Sequence, residues 1–223
     1  MIQRELLATA QVLGGGEMRL FRHDRDHMIV LGGNELMSTR MNGSEIALAE
    51  QTLARIPDRR GPCILIGGYG MGFTLRAALA KLDAEAEVIV AELVPEIIEW
   101  ARGPMADLAD GCLEDPRVRL FMGDVGTLID GGANEYDAIL LDVDNGPDGL
   151  TRKGNDGLYS SSGLRAARKA LTMGGVLAIW SAAPDRAFTA RLSKCGFEVE
   201  EITVRARTNG KGPKHVIWFA RKA

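Results

Sequence analysis

The sequence has few of the features that mark several large classes of protein. Its 223 residues include three cysteines, Cys63, Cys112 and Cys195, which lie far apart and form no C-x-x-C pair. This spacing indicates neither a disulfide framework nor a zinc site, and it fits a reducing cytoplasm. No apolar run approaches the roughly 18 residues that a membrane span requires. We therefore expect a cytoplasmic protein with no membrane segment and no bound metal.

The chain also lacks an excess of basic charge. It has 27 Lys and Arg residues against 30 Asp and Glu residues, for a formal net charge of -3. Nucleic-acid-binding domains usually show a strong basic balance, so we expect no nucleic acid as a partner. The length and the 46% hydrophobic content suit one globular domain with a small N-terminal addition.

From residue 61 onward, apolar segments of strand length alternate with segments of helical periodicity. This alternation is typical of an α/β domain with a mostly parallel sheet flanked by helices. The predicted strands are 63–66, 87–92, 118–122, 136–142, 175–181, 197–206 and 214–221. The predicted helices are 73–82, 95–109, 162–173 and 185–195. A short connection containing Gly and Pro joins the last two strands, so we expect them to be antiparallel neighbours.

Residues 1–60 differ from the rest of the chain. Short strand-like segments at 17–24, 27–33 and 34–39 precede a helical segment that ends before Pro57. We therefore predict a β-rich N-terminal cap with its helix over 1–60 and a main domain over 61–223.

The segment GGYGMG, residues 67–72, follows a predicted strand and begins a predicted helix. Glycine permits tight turns and close approach of a ligand to the backbone, and the N-terminus of a helix favours negative groups. The segment lacks the G-K-[ST] ending of a P-loop, and it meets the G-x-G-x-x-G dinucleotide fingerprint only loosely. A tight turn without a ligand is the alternative interpretation, and NAD stays possible.

Acidic residues follow the predicted strands at the same edge of the sheet as the glycines. Glu92 ends the second strand of the main domain, Asp124 follows the third, and Asp142 and Asp144 follow the fourth. A carboxylate at the position of Glu92 can accept both hydroxyls of a ribose, and open α/β sheets bind ligands outside the carboxyl ends of their strands. The sequence therefore predicts a nucleoside site, with turn formation as the alternative for the aspartates.

The ordered series ILIGGYGMGFTLRAAL, VIVAELVPEIIEWAR, DPRVRLFMGDV, NEYDAILLDVDNGP and LYS resembles the spermidine synthase (polyamine aminopropyltransferase) family. More broadly it is similar to the class I S-adenosylmethionine-dependent methyltransferases. The resemblance covers about residues 61–185 and implies a Rossmann-like fold: a seven-stranded, mostly parallel sheet with a reversed final hairpin. It also implies S-adenosylmethionine or its decarboxylated form as the donor, and a homodimer.

The resemblance implies a role for each matched position. Three glycines would hold the amino-acid or aminopropyl end of the donor, Glu92 its ribose, and Asp124 with Val125 its adenine. Asp142 would face the reacting centre, with Asp144 as the candidate second acid. The glycines are Gly68, Gly70 and Gly72.

Four further residues are candidates for contact with donor or acceptor. Tyr69 either touches the donor or points to solvent, and Tyr159 either lies near the acceptor or packs on the sheet. Trp180 either lines the crevice or is buried, and Glu45 is what remains of a Tyr-His-Glu element of the family.

Some family features are altered. The segment DVDNGPD replaces the usual D-[ST]-[ST]-D-P, and Trp180 and Ser181 replace a usual Gln. These changes favour methyl transfer over aminopropyl transfer, and they keep open a non-catalytic, nucleoside-binding or scaffold protein.

The acidic cluster predicts a cationic amine as the acceptor. The same cluster disfavours the carboxylate of intact S-adenosylmethionine unless the loop amides, Arg76 or Arg40 neutralise it.

Overall fold

The computed structural model describes residues 4–12, 16–143 and 156–223. Within these ranges the chain forms two sheets. The smaller sheet is antiparallel, and its strands follow one another in the order of the sequence. These strands are β1 (Glu5–Gln11), β2 (Glu17–His23), β3 (Asp26–Leu31) and β4 (Asn34–Ser38). Strand β1 is absent from the prediction.

The larger sheet has seven strands in the order β10-β11-β9-β8-β5-β6-β7. Its strands are β5 (Cys63–Gly67), β6 (Glu87–Glu92), β7 (Val118–Met122), β8 (Tyr136–Leu141), β9 (Leu171–Ser181), β10 (Phe197–Arg205) and β11 (Lys214–Lys222). Strands β5 to β9 pair in parallel, whereas β11 is antiparallel to both β9 and β10. The predicted mostly parallel sheet with a reversed final hairpin is confirmed.

Helices connect the strands of the larger sheet. They are α2 (Phe73–Leu79), α3 (Pro95–Arg102), α4 (Ala106–Ala109), α5 (Val125–Gly131), α6 (Asp156–Tyr159), α7 (Ser161–Ala170) and α8 (Arg186–Lys194), with a 3₁₀ turn over Cys112–Glu114. The helix predicted over 95–109 is interrupted at Gly103 and Pro104, because proline has no N–H to continue the helical hydrogen bonds. The helix predicted over 162–173 ends at Ala170, and Leu171 begins β9 because its buried side chain joins the core.

Helix α1 (Gly43–Leu53) lies between the two sheets in sequence but packs with the larger one. It contacts α2, β8, β9 and β10. The packing therefore changes from the small sheet to the large one after β4, near residue 39, although the sequence grouped α1 with the N-terminal cap. The division into two domains stays a prediction, since buried residues of both parts, such as Leu20 and Ile66, belong to one hydrophobic cluster.

Candidate active site

The order of the strands reverses around β5. This strand pairs with β6 on one side and with β8 on the other, so the connections after β5 and β8 diverge and leave a crevice at their carboxyl ends. The backbone N–H of Asp142 donates to the carbonyl of Gly67 at 3.1 Å, which holds the two strand ends together. Two adjoining cavities open at this edge, and Asp142 lines both.

The first cavity, called here the glycine-loop cavity, lies above β5, β6 and β7. Its walls include Gly68 and Gly70, Glu92 at the end of β6, and Asp124 and Val125 after β7. The crevice therefore contains most of the residues that the sequence predicts to hold the donor, and their role there stays a prediction.

The three predicted glycines have different surroundings. All three have positive φ angles, +85° at Gly68, +55° at Gly70 and +75° at Gly72. Gly68 and Gly70 line the cavity, but Gly72 does not. A Cβ at Gly72 would lie 2.7 Å from the Tyr69 hydroxyl, so this glycine is needed for packing at the start of α2. The prediction that Gly72 holds the donor is not supported by this position.

Tyr69 contacts the predicted donor-binding residue Glu92 through its backbone N–H, whereas its ring is buried away from the cavity. The side chain is 4% exposed, and its hydroxyl lies 3.5 Å from the Cys112 sulfur in the interior. Burial raises the pKa of this phenol. The ring points neither to solvent nor into the cavity, so its position does not support the predicted contact with the donor.

Glu92 is held in place by backbone amides. Its Oε2 accepts a hydrogen bond from the Tyr69 N–H and its Oε1 accepts one from the Val94 N–H, both at 2.9 Å. The side chain is 7% exposed, and burial raises its pKa, whereas these hydrogen bonds act in the opposite direction. The carboxylate is therefore rigidly oriented beside the cavity.

Asp124 caps helix α5, which the sequence analysis did not predict. Its Oδ1 accepts a hydrogen bond of 2.8 Å from the Gly126 N–H, which satisfies one of the free donors at the start of the helix. The side chain is exposed and lines the glycine-loop cavity. Because the cap uses one oxygen, the other can accept a further hydrogen bond from a ligand.

The N-terminal sheet closes the glycine-loop cavity from the other side. The register between β3 and β4 shifts so that Ile29 pairs with Met37 and Val30 pairs with Glu35, which leaves Leu36 as a bulged residue. Leu36 and Met37 line both cavities. The methyl group of Met37 lies close to Gly70, since a Cβ at Gly70 would be 2.7 Å from it.

The second cavity, called here the acidic cavity, adjoins the first at Asp142. Its polar lining includes Glu35 of β4, Glu45 of α1, and His215 of β11. Trp180 of β9 also lines it, and the indole ring meets the His215 ring edge-on with centroids 4.6 Å apart. Glu45 and Trp180 thus line a cavity next to the predicted donor site, where an acceptor could bind. Contact of these two residues with an acceptor stays a prediction.

Asp142 and Glu45 influence each other's charge. Burial raises the pKa of Asp142 to about 6, against a 3.2 Å hydrogen bond from the Thr74 hydroxyl to its Oδ2. Burial, and next the negative charge of Asp142, raise the pKa of Glu45 to about 8. At neutral pH the pair therefore holds about one proton, and Asp142 is the more readily ionised member.

Among the described residues, Tyr159 joins Tyr69 and Gly72 in lining neither cavity. Tyr159 is 4% exposed and packs edge-on against Phe188 in the core on the α7 and α8 side of the sheet, which agrees with the alternative of packing on the sheet and gives no support to a place near the acceptor. Asp144, the candidate second acid, lies outside the described residues.

Four polar residues at the site were missed from the sequence. Thr74 follows the glycine segment closely enough to have been suspected. The other three, Glu35, Ser44 and His215, belong to distant parts of the chain, and no local pattern identifies them.

Among the residues that the structure describes, no group of three His, Cys, Asp or Glu side chains is placed to hold a metal ion. Over the same residues, no helix is both long and apolar enough to cross a bilayer.

Comparison with known families gives one match over most of the chain. The model of a family described as the spermine/spermidine synthase domain matches residues 13–186. A polyamine aminopropyltransferase of Nitrosomonas europaea is 34% identical over 120 residues, which cover 54% of this chain and 35% of that protein. A polyamine aminopropyltransferase of Mycobacterium tuberculosis (strain ATCC 25618 / H37Rv) is 28% identical over 156 residues, which cover 66% of this chain and 29% of that protein. The chain thus spans about a third of the length of these curated relatives.

Solved structures share the fold. A spermidine synthase in complex with the transition-state analogue AdoDATO superposes with a TM-score of 0.77 at 21% identity, covering 98% of this chain and 72% of that one. The spermidine synthase from Thermotoga maritima gives a TM-score of 0.76 at 20% identity, with the same coverage. At this level of identity the likeness establishes the fold.

Proposed function

Because the chain belongs to the spermine/spermidine synthase domain family, we propose that it transfers an aminopropyl group from decarboxylated S-adenosylmethionine to a cationic amine. One observation supports this proposal above others: Asp142 lines both cavities. A carboxylate at the junction can face the sulfonium of the donor and the nitrogen of the acceptor at the same time. This proposal replaces the preference for methyl transfer, which the comparisons do not support.

The charge of the glycine-loop cavity favours the decarboxylated donor. Its described lining includes Glu92, Asp124 and Asp142 but neither Lys nor Arg. The carboxylate of intact S-adenosylmethionine would therefore meet negative charge in a partly buried site without a cationic partner, and this arrangement is costly.

The groups that could neutralise such a carboxylate are engaged elsewhere. In the glycine loop, the Gly68 N–H donates to the Ala91 carbonyl, and the Tyr69 N–H donates to Glu92. Arg40 pairs with Asp26, and the Arg76 guanidinium lies 5.0 Å from the centre of the Phe73 ring. Neither arginine lines a cavity within the described residues.

The acidic cavity suits a polyamine-like acceptor. Asp142 and Glu45 lie at its inner end, next to the donor cavity, and Glu35 is an exposed acid of its wall. A diamine could place its reacting nitrogen at Asp142 and its distant ammonium near Glu35. The apolar side chains of Leu36, Met37 and Met41 would contact the methylene groups between them.

The reaction is a displacement in which the protein supplies position and charge. The lone pair of the neutral amine attacks the aminopropyl carbon next to sulfur. A carbon–nitrogen bond forms and the carbon–sulfur bond breaks, so the sulfonium becomes the neutral thioether of methylthioadenosine. The new ammonium loses one proton, which Asp142, in its ionised form, accepts.

A parallel assay tests the proposal. The protein is incubated with decarboxylated S-adenosylmethionine or the intact form, each with a series of linear diamines, and methylthioadenosine and S-adenosylhomocysteine are measured by chromatography. We expect methylthioadenosine only with the decarboxylated donor and a diamine. Formation of S-adenosylhomocysteine would support methyl transfer instead.

Titration calorimetry with the two donors separates binding from turnover. We expect the decarboxylated donor to bind at least about tenfold more tightly, since one uncompensated charge costs more than 1.4 kcal/mol. Donor binding without any turnover would contradict the proposal and favour a non-catalytic nucleoside-binding protein.

The homodimer and the cytoplasmic location stay predictions. Light scattering can test whether the protein is a homodimer.

A further inference from the structure

A line of hydrogen bonds connects α1 with β11 in the wall of the acidic cavity. The Ser44 hydroxyl lies 2.8 Å from Oε2 of Glu45 and 2.9 Å from Nδ1 of His215. Ser44 and Glu45 are in the first turn of α1, and His215 is 171 residues away from Ser44 in the sequence. The three side chains thus form one continuous path from Glu45 to the partly exposed His215, and both of these end residues line the acidic cavity.

Backbone contacts hold the two ends of this path in register. The Gly43 N–H donates to the Ala206 carbonyl at 2.8 Å, and a Cβ at Gly43 would lie 2.7 Å from the backbone carbon of Arg207. The first turn of α1 is therefore pressed against the loop that leads into β11. Trp180 packs edge-on against the His215 ring, with the ring centroids 4.6 Å apart.

The Ser44 hydroxyl has one proton and two neighbours that can accept it. In one arrangement Ser44 donates to the Glu45 carboxylate and His215 Nδ1–H donates to Ser44. In the other, a protonated Glu45 donates to Ser44, and Ser44 donates to a bare Nδ1. Passing from the second arrangement to the first moves one proton from Glu45 to His215 without moving a heavy atom.

We propose that Ser44 and His215 form a proton path that returns to solvent the proton released by the attacking amine. This inference rests on the proposed function. The proton passes from the new ammonium to the Asp142–Glu45 pair, from Glu45 through Ser44 to Nδ1 of His215, and from Nε2 to water. One proton enters the path and one leaves it, and the His215 ring is left with its remaining proton on Nδ1. The ring regains the Nε2–H tautomer when it rotates and exchanges this proton with water, and the path is then ready for the next turnover. His215 and Ser44 act through Glu45 and are positioning residues.

Four titratable side chains of the described part of the chain line the acidic cavity, and two of them are the ends of the path. Asp142 at the end of β8, Glu45 of α1, Glu35 of β4 and His215 of β11 are the titratable groups that line the cavity in the described residues, while β9 contributes the neutral Trp180. Burial lowers the pKa of His215, so its ring is neutral at neutral pH, and it holds a proton received from Glu45 only transiently, because the pKa of Glu45 is raised. A partly exposed imidazole that holds its proton weakly can release it to water.

Nitrogen-15 NMR of the histidines tests the path without any turnover. The chain has three histidines, so His215→Gln assigns the signals of His215. Because the pKa of Glu45 is raised to about 8, we expect the neutral His215 ring to change from the Nε2–H to the Nδ1–H tautomer as the pH rises through that value. Ser44→Ala and Glu45→Gln should each abolish this change. One tautomer throughout in the wild type, or a change that persists in Ser44→Ala, would overturn the proposal.

Kinetics test the consequence for the reaction. We expect His215→Ala to lower kcat about tenfold, less than loss of the base itself, with the KM for the donor unchanged. Added imidazole should restore turnover in His215→Ala but not in Ser44→Ala, where the path is broken next to Glu45.

The control is His23→Ala, at the end of β2 and outside both cavities. Unchanged turnover of a folded His215→Ala variant, or no rescue by imidazole, would show a structural role only. Inactive wild-type protein with an intact tautomer change would instead contradict the proposed function alone.

Discussion

The backbone N–H of Tyr69 donates a hydrogen bond of 2.9 Å to Oε2 of Glu92. This bond ties the glycine loop after β5 to the end of β6, so the residue proposed to hold the ribose also shapes the loop beside it. The Tyr69 ring is buried and lies next to Gly72, where a Cβ would be 2.7 Å from its hydroxyl. The donor site is therefore a single unit built from two strand ends.

We predict that Glu92→Ala weakens binding of the decarboxylated donor by about tenfold to a hundredfold. The carboxylate can accept a charge-assisted hydrogen bond from a ribose hydroxyl, and the loss of one such bond costs about 1.5–3 kcal/mol. Titration calorimetry measures the change. The matched control is Glu87→Ala at the opposite end of β6, which should bind the donor normally. Equal affinities in the two variants would remove Glu92 from the donor site.

We predict that Gly70→Ala weakens donor binding about tenfold or more. A side chain at Gly70 would both strain a backbone with φ of +55° and collide with Met37, whose methyl group would be 2.7 Å from the new Cβ. Gly111→Ala is the control, because Gly111 has a similar φ of +66° with nothing within 4 Å of an added Cβ. Both variants should lose stability in thermal unfolding, by about 1–2 kcal/mol. Normal donor binding by Gly70→Ala would show that the loop is only a turn.

We predict that Asp142→Asn lowers kcat by about a hundredfold or more and changes donor affinity much less. Asparagine keeps the shape but cannot take the proton of the attacking amine, whereas the contacts at Glu92 and Asp124 remain. Steady-state kinetics and calorimetry on the same protein measure the two effects. Asp130→Asn, on the exposed side of α5, is the control. If Asp142→Asn turns over like this control, the aspartate is a turn former.

We predict that Glu45→Gln makes the ligand-free protein more stable at alkaline pH. The pKa of Glu45 is raised from its ordinary 4.5 to about 8, so between these values the folded protein binds more protons than the unfolded chain. Stability therefore falls as the pH rises through this window, by up to about 1.4 kcal/mol per pH unit for one proton. Chemical denaturation from pH 5 to pH 9 should show a shallower fall in Glu45→Gln. Parallel curves for the two proteins would mean that Glu45 titrates normally.

The alternation of strands and helices in the main domain follows from the sequence alone. Buried parallel strands are short apolar runs, and the helices between them need a polar face, so the two periods can be distinguished locally. The same reasoning places Glu92, Asp124 and Asp142 at one edge, because the carboxyl ends of parallel strands meet there. The ordered motifs also identified the family, which the match over residues 13–186 confirms.

Local breaks in the pattern were harder to predict. Strand β1 was missed, helix 95–109 is split at Gly103 and Pro104, and α5 depends on the cap that Asp124 supplies. Each of these is decided by a hydrogen bond or by packing against a neighbouring element. Hydrophobic periodicity does not report such contacts.

The tertiary structure alone decided which side chains face the crevice. Gly72, Tyr69 and Tyr159 lie in motifs that match the family, yet none of them lines the crevice. The rings of Tyr69 and Tyr159 are buried in the interior, and the Tyr69 ring occupies the space beside Gly72. The acceptor side depends on pairs such as Glu45 with Asp142 and Ser44 with His215, which come from different elements. Their contact requires β11 to insert between β9 and β10 and α1 to pack against β10. These arrangements minimise exposed apolar surface over the whole chain, so no local stretch of sequence specifies them.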